Sequence, residues 1–166
     1  MLRWAIRQEA KPIAIRVPSN GVVHTTEDVD EEYSYTPKYK VAHEGSQVAI
    51  IAAGSFYQKG ENVAHLLAEQ GIDATLINPR YLHAVDAEVL ESLKARHQLV
   101  VTLEDGCKDG GFGERIASYY GTADMKVLVC GVKKDLYDRF DHQQLLADNR
   151  LLANQIADDI LNIIKQ

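Results

Sequence analysis

Glu104 and Asp105 stand side by side at the end of an apolar run, and four glycines follow within eight residues: Gly106, Gly110, Gly111 and Gly113. The stretch from Gln98 to Tyr120 reads QLVVTLEDGCKDGGFGERIASYY. Backbone N–H groups of a glycine-rich turn that opens into a helix can cradle a phosphate. The composition of this turn works against that chemistry. Glu104, Asp105, Asp109 and Glu114 crowd it, and Lys108 is the single cation inside it. It also lacks both the dinucleotide-binding glycine spacing and the Gly-Lys-Ser/Thr ending of a phosphate loop. Glu104, Gly110, Gly111 and Gly113 therefore read as a structural turn or contact surface, where glycine serves backbone geometry and the close approach of a neighbour.

Other chemistry-bearing residues are dispersed. His24, His43, His65, His83, His97 and His142 form no HxxxH or HxH pair, so they read as surface or helix-end residues and no metal site is expected. Cys107 lies where a helix dipole could lower a thiol pKa, but the acidic surroundings oppose this and no histidine partner is evident, so it reads as passive. Ser55 sits in Ala-Gly-Ser-Phe without the Gly-x-Ser-x-Gly elbow and reads as a helix N-cap. Tyr33, Tyr35, Tyr39 and Tyr81 suit an interface or local packing equally well. Arg16 ends an apolar run before Pro18. Its planar fork suits phosphate or carboxylate, although on residue type alone it reads as a solvated strand-end arginine.

The elements that must position these residues alternate. Met1–Glu9 reads as the tail of a helix with Leu2, Ala5 and Ile6 on one face, and Pro12–Pro18 as a short strand between prolines. Ser19–Pro37 is polar, acidic and aperiodic, a solvated linker. Tyr39–Ala42 and Val48–Ala53, joined at Glu44-Gly45-Ser46, suggest a hairpin with an antiparallel edge. A helix Tyr57–Gln70 ending at Gly71, a strand Ala74–Asn78, and a helix from an Asp86 cap through Ala95 follow. Then come a strand Leu99–Leu103, a helix Glu114–Tyr120 and a strand Lys126–Cys130. Two terminal helices, Asp141–Ala147 and Leu152–Ile164, close the chain, the last with an apolar stripe of Leu152, Ile156, Ile160, Ile163 and Ile164. Strands alternating with helices predict an α/β fold: a three-layer α/β/α sandwich around a mostly parallel five-stranded sheet with one antiparallel edge.

Composition limits the function classes. With 166 residues the chain is long enough for one domain with a real core, or for one domain plus an appendage. A formal net charge of −6 argues against nucleic acid and against an anionic membrane surface. No apolar run is long enough to cross a bilayer. Cys107 and Cys130 have no ligand spacing, which fits a reducing, cytoplasmic setting.

Five segments in one order, PIAIRVP, EGSQVAIIAAGS, DATLINPRYLHAVDAEVL, LVVTLEDGCKDGGFGE and VLVCGVKKDLYDRF, carry a family resemblance. Together they resemble the C-terminal region of the 1-deoxy-D-xylulose-5-phosphate synthases, within the transketolase-like thiamine diphosphate enzymes. The resemblance covers Pro12 to Gln166 and implies a transketolase C-terminal-like domain over residues 38–166. It also implies a remnant of the preceding pyrimidine-binding domain over residues 1–18 and a linker over 19–37. The implied parent enzyme moves a two-carbon unit to a sugar-phosphate aldehyde and uses thiamine diphosphate and magnesium. The family's cofactor-binding segment and activating glutamate have no counterpart here, so the chain alone is expected to bind no cofactor and to be inactive. Its implied partners are the N-terminal and middle domains, or a subunit carrying them, and a second copy in a homodimer.

The family's phosphate-reaching arginine falls on Arg16, which makes Arg16 the candidate substrate phosphate-binding residue. The family's second arginine is Ser19 here, its Pro-Leu-Asp is Ala84-Val85-Asp86, and a later glycine is missing near His142. These departures leave room for another sugar phosphate. Two further readings remain: a beta-subunit fragment of a 2-oxo-acid dehydrogenase, and a non-catalytic α/β interaction module.

Overall fold

A computed structural model describes residues 1–17, 21 and 33–165. After a short helix α1 (Leu2–Ile6), the elements are β1 (Lys40–His43), β2 (Gln47–Ala52), a 3-10 turn (Gly54–Phe56), α2 (Tyr57–Ala68) and β3 (Thr75–Asn78). They continue with α3 (Ala87–Leu93), β4 (His97–Cys107), α4 (Phe112–Tyr120), β5 (Lys126–Val132), α5 (His142–Asp148) and α6 (Ala153–Ile164). The five strands form one sheet in the order β1-β3-β2-β4-β5. β3, β2, β4 and β5 run parallel, and β1 pairs antiparallel with β3.

Side-chain alternation divides the core into two layers. Val48, Ile50 and Ala52 of β2, and Leu99, Val101 and Leu103 of β4, face α2, α5 and α6, where Leu67, Leu146, Ile156 and Ile160 cover them. Ala49 and Ile51 of β2, and Val100 of β4, face Leu90 and Leu93 of α3 and Phe112, Ile116 and Tyr120 of α4. A sheet buried on both faces explains why β2 and β4 read as continuous apolar runs. Each fully buried leucine or isoleucine contributes about 1.5–3 kcal/mol relative to exposure. This is the expected three-layer sandwich with one antiparallel edge.

The expected hairpin does not form. β1 and β2 flank β3 on opposite sides, with Val41 opposite Ile77 and Ile50 opposite Leu76. The Glu44–Ser46 turn crosses the start of β3, where Gly45 N–H donates to Thr75 Oγ1 at 2.8 Å and Ser46 N–H to the Asp73 carbonyl at 2.8 Å. A Cβ on Gly45 would run into the Asp73 carbonyl. Burial explains the exchange. β2 is buried at every position after Gln47 and takes the sheet's interior, while β1 is exposed over Val41–His43 and fits only an edge.

The N-terminal expectations also change. Trp4, not Leu2 and Ile6, is the buried residue of α1, packed 5.9 Å from the Tyr33 ring and 5.7 Å from the Tyr35 ring. The strand expected between the prolines does not form: residues 12–17 have no regular secondary structure and pair with no strand among the described residues. Pro18, Ser19, His24 and most of the expected linker lie outside the described residues. Of the two roles open to Tyr39, interface or local packing, the structure shows packing: it is buried against Phe112 at 6.3 Å, and its N–H donates to Asp86 Oδ2 at 2.9 Å. Asp86 also caps α3 through the Val89 N–H, as expected.

Candidate functional site

β4 is the element on which the site turns. The apolar run does not end at the acidic pair: the strand continues through Cys107, with a register irregularity between Leu103 and Cys107. Successive strand residues point to opposite faces, so the two carboxylates part.

Glu104 turns towards α4 and is 6% exposed. Its carboxylate accepts from the N–H of Phe112 at 3.0 Å and of Gly113 at 2.8 Å. These are first-turn donors of α4 that have no partner inside the helix. The chain thus fills its own anion cradle with an internal carboxylate, at the end of the helix dipole that favours negative charge. Glycine is required by this closeness. A Cβ on Gly113 would lie 2.5 Å from Thr102 Oγ1 and 2.5 Å from Val129 Cγ1. A Cβ on Gly111 would lie 2.6 Å from Glu104 Oε1. Gly110 has φ of +74° and open space around it, so its need is conformational. Its N–H donates to Glu114 Oε2 at 2.7 Å.

Asp105 points the other way and gathers two segments. Arg16 Nη2 donates to Asp105 Oδ1 at 2.8 Å, and Ser55 Oγ donates to Asp105 Oδ2 at 3.0 Å. One carboxylate therefore ties together the N-terminal segment carrying Arg16, the turn after β2 and the end of β4. The Arg16 side chain is 64% exposed and that of Asp105 33%. Ser55 is not the N-cap expected of it; the residue before α2 is Phe56, with no side-chain cap. Nearby, Lys59 Nζ lies 4.0 Å from the centre of the Phe56 ring, buried and without a hydrogen-bond partner among the described residues. Burial pulls its pKa below the ordinary lysine value. The ring face supplies a cation–π attraction.

The remaining candidates lie elsewhere. His97 is buried at the opposite, amino end of β4, with Nδ1 3.0 Å from the Leu93 carbonyl and Nε2 2.8 Å from Thr75 Oγ1. His43 pairs with Asp73 at 2.6 Å and His65 lies 3.5 Å from Glu69. Among the described residues no three His, Cys, Asp or Glu side chains gather in a metal-binding group. Cys107 is exposed, whereas burial pushes the Cys130 thiol up to about 12. No helix among the described residues is long and apolar enough to cross a membrane.

Arg16, Glu104 and the glycines stand out along the sequence, whereas the link from Arg16 through Asp105 to Ser55 does not. A signal was present. Adjacent acids at a strand end face opposite ways, so one of them had to leave the glycine turn.

A family model described as the transketolase C-terminal domain matches residues 37–156. The chain is 33% identical over 155 residues to 1-deoxy-D-xylulose-5-phosphate synthase of Gloeothece citriformis, covering 90% of this chain and 24% of that protein. It is 36% identical over 132 residues to the synthase of Clostridium botulinum, covering 77% of this chain and 21% of that protein. It is 34% identical over 163 residues to that of Crocosphaera subtropica, covering 96% and 26%. The chain spans about a quarter of the length of the curated relatives it matches. A solved structure titled split gene transketolase, inactive beta4 tetramer, superposes with a TM-score of 0.69 at 25% identity, over 82% of this chain and 44% of that one.

Proposed function

The chain belongs to the transketolase C-terminal domain family, and from that premise we propose that it is the C-terminal, oligomerising part of a thiamine diphosphate-dependent transferase of the 1-deoxy-D-xylulose-5-phosphate synthase kind. The parent enzyme moves a two-carbon unit to a sugar-phosphate aldehyde in the cytoplasm. In this reading residues 1–18 belong to the end of the preceding domain, 19–37 are a linker, and 38–166 form the C-terminal domain. The chain's partners are the N-terminal and middle domains, or a subunit carrying them, and a second copy of itself. The synthase name shared by the relatives above favours this reading over a dehydrogenase beta subunit.

The cofactor supplies the electron sink for the two-carbon fragment. Its diphosphate and magnesium do not fit the residues described here. The α4 amino end, where an anion could be seated, is already filled by Glu104. In this reading the cofactor is held by the N-terminal and middle domains, or by a subunit carrying them. What this chain contributes to substrate binding is Arg16, and the observation that carries this is its position: a largely exposed guanidinium anchored by Asp105 at the carboxyl ends of β2 and β4, where ligands of open α/β sheets gather.

The test is kinetic. In the enzyme that contains this chain, Arg16→Ala is expected to raise KM for glyceraldehyde 3-phosphate about ten- to a hundredfold, the equivalent of a charge-assisted contact of roughly 1.5–3 kcal/mol. KM for pyruvate should hardly move. Arg16→Lys should recover part of the loss, because an ammonium makes no bidentate contact. A rise below about twofold, only ~0.4 kcal/mol, refutes the assignment. Absence of turnover with this substrate pair in the wild-type enzyme refutes the synthase reading itself.

A further inference from the structure

We infer that Asp105, braced by Ser55, is a positioning residue for Arg16, holding its guanidinium at the carboxyl ends of β2 and β4 so that one complete edge of the fork faces outward for a phosphorylated ligand. This rests on the reading of Arg16 given above. Three observations carry it.

The first is how little of Arg16 the contact uses. Among the described residues Asp105 is the acceptor Arg16 donates to, and it does so through Nη2 alone. A guanidinium carries five N–H donors in a rigid plane. A single contact through one hydrogen of Nη2 leaves the remaining pair of donors along one edge intact, and a phosphate takes two parallel bonds from such an edge.

The second is that Asp105 is itself fixed. Its other oxygen accepts from Ser55 Oγ at 3.0 Å. Its backbone belongs to β4, which is buried from Leu99 to Glu104. The anchor is therefore a strand residue held at both carboxylate oxygens. Arg16, by contrast, lies in a segment without regular secondary structure that pairs with no strand among the described residues. Without Asp105 its side chain would lose rotamer freedom on binding, and a preorganised donor avoids that cost.

The third is exposure. The pair is open to solvent at 64% and 33%, where an ion pair contributes little to folding. The contact is weak as a folding element and well placed as an orienting one. Groups that orient a binding side chain commonly act in this way.

Asp105 could instead oppose the ligand by neutralising Arg16, and the two possibilities differ in sign. In the enzyme that contains this chain, Asp105→Ala should raise KM for glyceraldehyde 3-phosphate about three- to tenfold, leaving KM for pyruvate and the melting temperature nearly unchanged. Asp105→Asn should stay within about twofold of wild type. Its amide oxygen can still accept from Arg16 and its NH2 can donate to Ser55 Oγ. Ser55→Ala, which removes only the brace, should raise KM two- to threefold. The double variant Arg16→Ala/Asp105→Ala should be no worse than Arg16→Ala, since the two act as one unit.

A lowered KM in Asp105→Ala makes Asp105 a competitor and overturns the inference. So does an unchanged KM in Asp105→Ala alongside a raised KM in Arg16→Ala, which leaves the assignment of Arg16 standing. An unchanged KM in Arg16→Ala removes that assignment and this inference with it. Should Asp105→Ala fail to fold, Ser55→Ala decides: an unchanged KM there refutes the brace and the positioning it serves.

Discussion

Replacing Glu104 by glutamine tests whether an internal carboxylate organises the glycine turn. The side chain is buried and accepts two backbone N–H groups, at 3.0 Å from Phe112 and 2.8 Å from Gly113. Glutamine is nearly isosteric, so packing changes little. It has one acceptor oxygen where glutamate has two, and its NH2 must then face an N–H donor. One charge-assisted bond is lost, worth roughly 1.5–3 kcal/mol. The favourable charge at the α4 amino end is lost as well, about 0.3–1 kcal/mol. The expected destabilisation is about 2–4 kcal/mol, which for a chain of this length lowers Tm by roughly 5–15 °C. Glu104→Ala leaves both donors bare and should cost more, about 3–5 kcal/mol. It also empties the cradle, so inorganic phosphate should restore part of the lost Tm in Glu104→Ala and none in wild type. Urea unfolding and thermal melts with and without phosphate measure both effects. A loss under ~0.5 kcal/mol in Glu104→Gln would refute the reasoning, because water would then serve these donors as well as the carboxylate does.

Gly113→Ala should destabilise by about 2–4 kcal/mol, since the new methyl meets Thr102 and Val129 within a packed strand–helix contact; a melt within 2 °C of wild type, by the ~2–4 °C per kcal/mol of a domain this size, would contradict it. His97 gives a pH dependence. Burial lowers its pKa from the ordinary 6.5, so the unfolded chain takes up a proton before the folded one does. Its contribution to stability is complete above about pH 6.5 and is lost as pH falls from there through the folded-state value; Asn or Gln at this position should flatten that part of the stability–pH curve, and an unchanged curve would count against it. The loop after β5 exposes Leu136 at 98% and Phe140 at 56%, with the Tyr137 and Phe140 rings 5.9 Å apart. Exposed apolar clusters mark contact surfaces, so the chain should self-associate in sedimentation at high micromolar concentration and Leu136→Asp/Phe140→Asp should shift it towards monomer. A wild-type chain that stays monomeric there would sink this expectation.

The layers, most of the strands and the helix faces were legible along the chain, because each is written in local periodicity. Val48–Ala53, and Leu99–Leu103 apart from Thr102, are apolar without alternation, which a sheet covered on both sides accommodates. Ile156 and Ile160 recur at helical spacing and both are buried. Asp86 before an apolar helix announced its cap, and the structure bears this out. Partners distant in sequence could not be read in this way. That β1 pairs with β3 instead of turning back on β2 depends on which strand has enough apolar surface to occupy the interior of the sheet. Ser55 has the right type for an N-cap, yet its hydroxyl is drawn 50 residues along the chain to Asp105. Trp4, not its apolar neighbours, is buried because Tyr33 and Tyr35, distant from it in sequence, pack on its ring. The glycine turn shows both kinds of determination. Its glycines declared a tight backbone, and four acids around it argued against an external phosphate. Which acid fills the cradle and which holds Arg16 was settled by the pleat of β4, since adjacent side chains on a strand face opposite layers and only the folded sheet says what each layer contains.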